Sequence, residues 1–209
     1  QLVYLGRLRN MSKSDAIKQS KLWTERLEIQ DWWNKKVEDL SKGMAQKIQF
    51  ISTVLNEPKL IILDEPFSGF DPVNANLIKD EILRMRDNGS TVIFSTHRME
   101  SVEELCDHIA LINKSTKILE GEKRAIKNEY RSNTFIVDHA GKWSNGQEGF
   151  DLLNQDTLEE NYYQSVIQVK DGKSPNELLA SLIQVTEVHG FVEKIPTINE
   201  IFISKVKES

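Results

Sequence analysis

Leu60-Ile61-Ile62-Leu63-Asp64-Glu65-Pro66 is the stretch on which the reading of this chain turns. A short apolar run bounded by Pro58 and Pro66 predicts a buried β-strand. Open α/β sheets place their ligands at the carboxyl ends of such strands. Two acids there suit phosphoryl chemistry: one can hold Mg²⁺ through oxygen and the other can polarise a water. The run alone is not distinctive, because many α/β proteins end a buried strand in acids. Its neighbours carry the rest.

Upstream lies Leu40-Ser41-Lys42-Gly43-Met44-Ala45-Gln46, opening a helix whose apolar positions Met44, Ile48, Ile51 and Leu55 predict one buried face. Ser41 suits the cap, Gly43 lets a ligand approach the backbone, and free N–H groups at a helix start favour an anion. Downstream, Phe67-Ser68-Gly69-Phe70-Asp71-Pro72 reads as a turn feeding a helix with proline in its first turn. A second strand, Thr91-Val92-Ile93-Phe94-Ser95, runs into Thr96 and His97, placing an imidazole where it could meet a terminal phosphate.

In this order and spacing, with Ser41 23 positions before Asp64 and His97 32 after Glu65, the four pieces resemble the second half of an ABC-type ATPase. They look like the signature motif, Walker B, the D-loop and the histidine switch. Helix–strand alternation supports the α/β class independently. The fold the resemblance implies is a partial ABC-type P-loop NTPase domain, with a helical subdomain and a parallel-sheet core, followed by a small α+β C-terminal domain. It implies that Asp64 assists Mg²⁺ coordination, Glu65 orients or activates the attacking water and His97 contacts the γ-phosphate. Ser41, Lys42, Gly43 and Met44 would bind ATP held by a facing subunit, and Ser68, Gly69 and Asp71 would shape contacts between subunits. Lys42 and Met44 depart from the commonest signature, which has glycine and glutamine there, while the serine and second glycine are kept. The implied partners are a membrane-spanning permease subunit and a second ATP-binding subunit.

The pattern G-x-x-x-x-G-K-[ST] of a P-loop is not in the 209 residues. Gly172-Lys173-Ser174 mimics its end, but the first glycine would fall on Ile167. Ser174 with Glu177, and Pro175 between them, reads instead as a capping box. By resemblance the P-loop belongs before Gln1, so the chain is expected to be an N-terminally shortened piece of a longer protein. Without a phosphate cradle it is expected neither to bind ATP tightly nor to hydrolyse it alone.

A hydrophobic content of 39% with 28% charged residues fits a globular protein, and no run approaches the ~18 apolar residues of a membrane span. A net charge of −5 argues against nucleic acid as the main partner. The single cysteine, Cys106, excludes an internal disulfide framework and reads as a core residue on a helix after His97. A cytosolic location follows most simply, and the resemblance places it at the cytoplasmic face of the membrane.

Three regions are expected: a helical subdomain over 1–39, the second half of the ATPase domain over 40–130, and an accessory α+β module over 131–209. In the first, Ser12 and Asp15 cap a helix, and Trp32-Trp33 are expected to pack between it and the signature helix, the alternative being an exposed aromatic pair for a partner. A helix over 72–90 stops at Asn88-Gly89, and a hairpin turns at Asn113-Lys114-Ser115. In the last region strands are expected at Phe135–Val137, Tyr163–Val169 and Gly190–Ile195, with a loop or hairpin connection over Gly141–Gly149. A helix over Pro175–Val185 should turn Leu178, Leu179, Leu182 and Val185 inward, and Thr197 with Glu200 should cap a final helix. This order resembles the accessory domain of ATPase subunits from ABC-2-type and sodium-efflux exporters. His139 and His189 lack ligand spacing and suggest no metal.

The leading functional expectation is an ATP-binding subunit of an ABC transporter, most plainly an exporter. The alternatives are a soluble ABC-type ATPase, for which long heptads or a basic face are missing, and a non-catalytic regulatory module.

Overall fold

Ser12, Ser41 and Asp71 each start a helix by accepting backbone N–H bonds from its first turn, at Asp15 (3.0 Å), Met44 (3.4 Å) and Val73 with Asn74 (3.0 and 3.1 Å). In the computed structural model, which describes residues 1–143 and 148–208, these helices dominate the first of two compact units, Gln1–Ser101 and Val102–Ser209. The first unit runs α1 (Leu2–Leu8), α2 (Lys13–Arg26), α3 (Lys42–Val54), β1 (Leu60–Asp64), α4 (Pro72–Asp87) and β2 (Thr91–Ser95). Helix α5 (Met99–Leu105) spans the division between the units. Gly6 lets α1 lie close on its neighbours: a Cβ there would meet Leu55 at 3.0 Å and Ala16 at 3.1 Å. Trp23, Phe50, Ile51, Val54, Leu55 and Ile78 fill the core between the helices.

Strands β1 and β2 pair in parallel, Leu60 opposite Thr91 through Asp64 opposite Ser95, so both chains deliver their last residues to the same end. The expectation of a buried strand holds for one face only. Ile61 is buried, but Leu60 and Ile62 are 52% and 68% exposed and Ile93 on the same face is 54% exposed. Parallel sheets are ordinarily covered on both faces. Here the described residues cover one, so alternate side chains stand open.

Two further expectations are corrected in this unit. The buried stripe of α3 runs through Lys47, Phe50, Ile51 and Val54, with Leu55 just beyond, while Met44 and Ile48 are half-buried. The stripe turns because Phe50 must meet the edge of Trp23, 6.1 Å between ring centres. The Trp32-Trp33 pair is not packed into the core, since Trp33 is 42% exposed and Trp32 half-buried. Cations lie over the rings: Lys21 over Trp33, and Lys35 and Lys47 over Trp32, each within 6 Å.

The second unit contains a hairpin, β3 (His108–Asn113) and β4 (Thr116–Glu122), then α6 (Lys123–Glu129), β5 (Thr134–Ala140), β6 (Phe150–Glu159), β7 (Tyr162–Val169), α7 (Pro175–Ile183), β8 (Val188–Glu193) and α8 (Ile198–Glu208). The last four strands form one antiparallel sheet in the order β6-β7-β5-β8. One face carries Phe135, Val137, Ile167 and Val169, packed with Leu178 and Leu182 of α7. Strand β6 has no counterpart among the expected elements; the connection expected over Gly141–Gly149 lies partly outside the described residues, at 144–147. Helix α7 stops at Ile183, leaving Val185 62% exposed instead of inward. Cys106 follows the end of α5 and is half-buried, so it is not a core residue, and burial pushes its thiol pKa up.

Glu103 ties α5 to α6 and α8. Its carboxylate accepts from Lys127 and from the Ile198 N–H (2.9 Å), and its carbonyl accepts from Lys123. Burial raises the Glu103 pKa, but these donors outweigh it and hold the group below its ordinary value. The capping box is present in full: Ser174 accepts from the Glu177 N–H at 3.2 Å, and Glu177 accepts from the Ser174 N–H at 2.8 Å. Ser174→Ala should therefore lower unfolding stability by about 1 kcal/mol, read as a shifted urea midpoint at unchanged slope.

Candidate functional site

The parallel pairing of β1 and β2 brings Asp64, Glu65, Ser95, Thr96 and His97 to one end of the sheet. Glu65 extends the ladder, its N–H donating to the Ser95 carbonyl (3.0 Å). It then leaves the strand with φ 46°, a left-handed conformation that is uncommon for a residue with a side chain. That turn sets the Glu65 carboxylate across from the end of β2. One oxygen accepts from the His97 backbone N–H (2.9 Å) and lies 2.7 Å from His97 Nδ1; the other accepts from the Thr96 hydroxyl (3.2 Å).

An ionised carboxylate can only accept, so Nδ1 carries the proton and Nε2 is left outward on a ring that is 79% exposed. The hydrogen bond from the His97 side chain is the main reason the Glu65 carboxyl sits below its usual pKa; its desolvation, acting upward, is outweighed. Beside it, Ser95 donates its hydroxyl to Asp64. The sequence reading named Asp64, Glu65 and His97, and the fold unites them. It did not assign Ser95 or Thr96; hydroxyls in the residues leading into His97 were the available signal.

The remaining candidates gather at a cleft between the start of α3 and the loop before α4, lined by Ser41, Gly43, Met44, Lys47, Gly69 and Asp71 among others. Ser41 caps α3, Gly43 has open space where a Cβ would stand, and Lys42 is exposed. Asp71 caps α4 and is held below its usual pKa first by the Asn74 side chain and then by backbone N–H groups. Ser68 is exposed but its carbonyl accepts from Gln46 Nε2 at 2.6 Å. Lys47 is buried and donates to the Leu27 carbonyl (2.9 Å). Burial draws its pKa down, against the opposing pull of Glu28 and Asp71.

Such a site is suited to anions. The start of α3 lines the cleft, and hard oxygen ligands stand at the sheet end. Among the described residues no group of three or more acids, histidines or cysteines converges as a metal cage. Mg²⁺ ordinarily binds one or two carboxylates together with phosphate oxygens and water, and Asp64 beside the Ser95 hydroxyl fits that mode.

The sequence matches the ABC transporter family model over residues 6–68 and the model of the C-terminal domain of DrrA1-3-like ATP-binding proteins over residues 121–206. An uncharacterized ABC transporter ATP-binding protein of Alkalihalophilus pseudofirmus is 39% identical over 99% of this chain and 76% of its own length. The uncharacterized ABC transporter ATP-binding protein YhaQ of Bacillus subtilis is 38% identical over 99% of this chain and 68% of its own. A solved ATP-binding subunit of an ABC transporter shares the fold, with TM-score 0.57 and 22% identity over 62% of this chain and 54% of that one. The chain belongs to the ABC transporter ATP-binding protein family. Intact members of this family bind and hydrolyse ATP. No helix among the described residues is long and apolar enough to cross a membrane.

Proposed function

We propose that this chain supplies the hydrolytic acids and the signature motif of an ABC transporter's ATP-binding machinery, working against a membrane-spanning permease at the cytoplasmic face of the membrane and paired with a second ATP-binding subunit. The single observation that carries this reading is the grip of His97 and Thr96 on the Glu65 carboxylate, beside Asp64 at the end of a parallel strand pair. Export is the direction favoured, through the resemblance of the last module, residues 131–209, to the accessory domain of exporter ATPase subunits. The functional division falls at 39/40 and 130/131, separating helices, chemistry and accessory module.

In this reading Asp64 with Ser95 would hold Mg²⁺, whose chemistry when bound is to neutralise charge on the phosphate oxygens. Glu65 takes or orients the proton of the attacking water. His97 anchors that carboxylate through Nδ1 and presents Nε2 to the terminal phosphate. Ser41 and Gly43, with Lys42 and Met44 flanking, offer helix-start N–H groups and a hydroxyl to a nucleotide held across the subunit interface. Ser68, Gly69 and Asp71 form the loop that meets the facing subunit.

Because no segment of the 209 residues has the P-loop pattern, calorimetric titration of this chain with Mg-ATP should give no binding at micromolar concentration. Micromolar affinity would contradict the assignment of phosphate cradling to another segment. The reading as a whole is tested by ATP turnover when a P-loop-bearing ATPase segment is present, with Asp64→Ala and Ser41→Ala as variants: both should lower turnover, and only Asp64→Ala should weaken the Mg²⁺ dependence.

A further inference from the structure

Gln46 sits one turn into α3 from the Ser41 cap and reaches across to the loop that follows Glu65. Its Nε2 donates to the Ser68 carbonyl at 2.6 Å, while its Oε1 is buried with no partner among the described residues. The loop is tight at this point. Ser68 N–H donates back to the Glu65 carbonyl at 3.0 Å, closing a turn over 65–68. Gly69 follows at φ 79°, and a Cβ on it would stand 2.9 Å from Gln46 Oε1 and 3.2 Å from Nε2. The Gln46 amide therefore occupies the space that a side chain at 69 would need. The loop is pinned on both sides of Glu65, by β2 through Ser95 and by α3 through Gln46.

We propose that Gln46 is a positioning residue. Its amide clamps the Ser68–Gly69 turn, so that the helix bearing Ser41 and Gly43 sets where the Glu65 carboxylate stands against His97. An anion arriving at the start of α3 acts on the hydrolytic acid of the same chain through this one side chain. The inference rests on the ATPase reading for its catalytic consequence, but the mechanical link from α3 to Glu65 does not depend on it.

Gln46→Met keeps the volume and removes the donor, and Gly69→Ala forces the amide away. In an ATPase assembly with a P-loop present, each should lower kcat by about 10²-fold, the scale of a catalytic group misplaced by an ångström, with KM for Mg-ATP little changed. Combined, the two should cost little more than either alone, since both break one contact. In the 209-residue chain, the ¹⁵N shift of His97 Nδ1 should move in Gln46→Met while the unfolding midpoint stays near wild type.

A kcat unchanged by Gln46→Met, when Glu65→Gln abolishes turnover, overturns the positioning role. An unmoved His97 shift overturns the link itself. Should Glu65→Gln also leave turnover intact while the His97 shift moves, the ATPase reading fails and the link stands.

Discussion

Glu65→Gln, made where a P-loop is present, should leave Mg-ATP binding intact and slow turnover by about 10²–10⁴-fold, the usual worth of a positioned general base. Glutamine is nearly isosteric and keeps one oxygen to accept from the His97 N–H groups, so the turn at 65–68 should survive. What it loses is the second anionic oxygen and the ability to take a proton. Asp64, held by Ser95, is untouched, so metal-dependent binding should persist. Steady-state phosphate release together with nucleotide titration separates the two effects; equal turnover would remove Glu65 from its assigned place. The His97 hydrogen bond draws the Glu65 pKa down; a carboxyl at its ordinary value is already ionised at neutral pH, so the bond serves to hold the acceptor in place rather than to strengthen the base. A depressed carboxyl contributes fully above its unfolded value, about 4.3, and the contribution fades as pH drops through the lower folded value.

Trp23→Ala should be the most damaging change to the first unit, costing about 3–5 kcal/mol. The indole is 1% exposed and meets the edge of Phe50. Arg26 and Arg84 lie over it, at 5.4 and 5.3 Å from the ring centre. Truncation would open a cavity where α2, α3 and α4 meet and strip both arginines of their packing surface. Against a typical total of about 5–15 kcal/mol, that is enough to populate the unfolded unit. Trp23→Phe should cost much less, because the indole N–H makes no hydrogen bond among the described residues and none is lost. Urea unfolding followed by circular dichroism measures both; equal losses for the two variants would mean the N–H, not the ring volume, is what matters.

Legibility in the sequence followed the range of the physics involved. Caps were readable because they are local. Ser12, Ser41, Ser174 and Thr197 were read as bonding to N–H groups three residues on, and all four do so in the fold. The apparent phosphate loop at Gly172-Lys173-Ser174 was separable from a real one by the same short-range argument. The acids and His97 were readable as a constellation, yet the bond between Glu65 and His97 depends on strand register over 32 positions and on a left-handed residue, neither of which leaves a pattern.

Strand β6 was missed because its pairing with β7 slips twice, at Leu152/Asn154 and at Thr157/Glu159, so alternation breaks inside a segment already rich in Asp and Asn. His139 shows the same limit. Without ligand spacing it offered nothing, but in the fold it is fully buried, with Ser165 Oγ at 2.8 Å from Nε2 and the Gly141 carbonyl at 2.9 Å from Nδ1. Gln155 then donates to Ser165 at 2.8 Å, completing a satisfied polar core rather than a metal site. The tryptophan pair was misjudged because aromatic burial is a tendency, and lysines can cover ring faces as well as alkyl groups do.

The backbone angle at Glu65 has a consequence for how this protein could be altered over generations. A glycine at 65 would sit in that left-handed well without the steric toll, of order 1 kcal/mol or more, that any side chain meets there. Selection for thermal robustness alone would thus drift towards losing the acid, and on the ATPase reading a glutamate at 65 trades durability for chemistry.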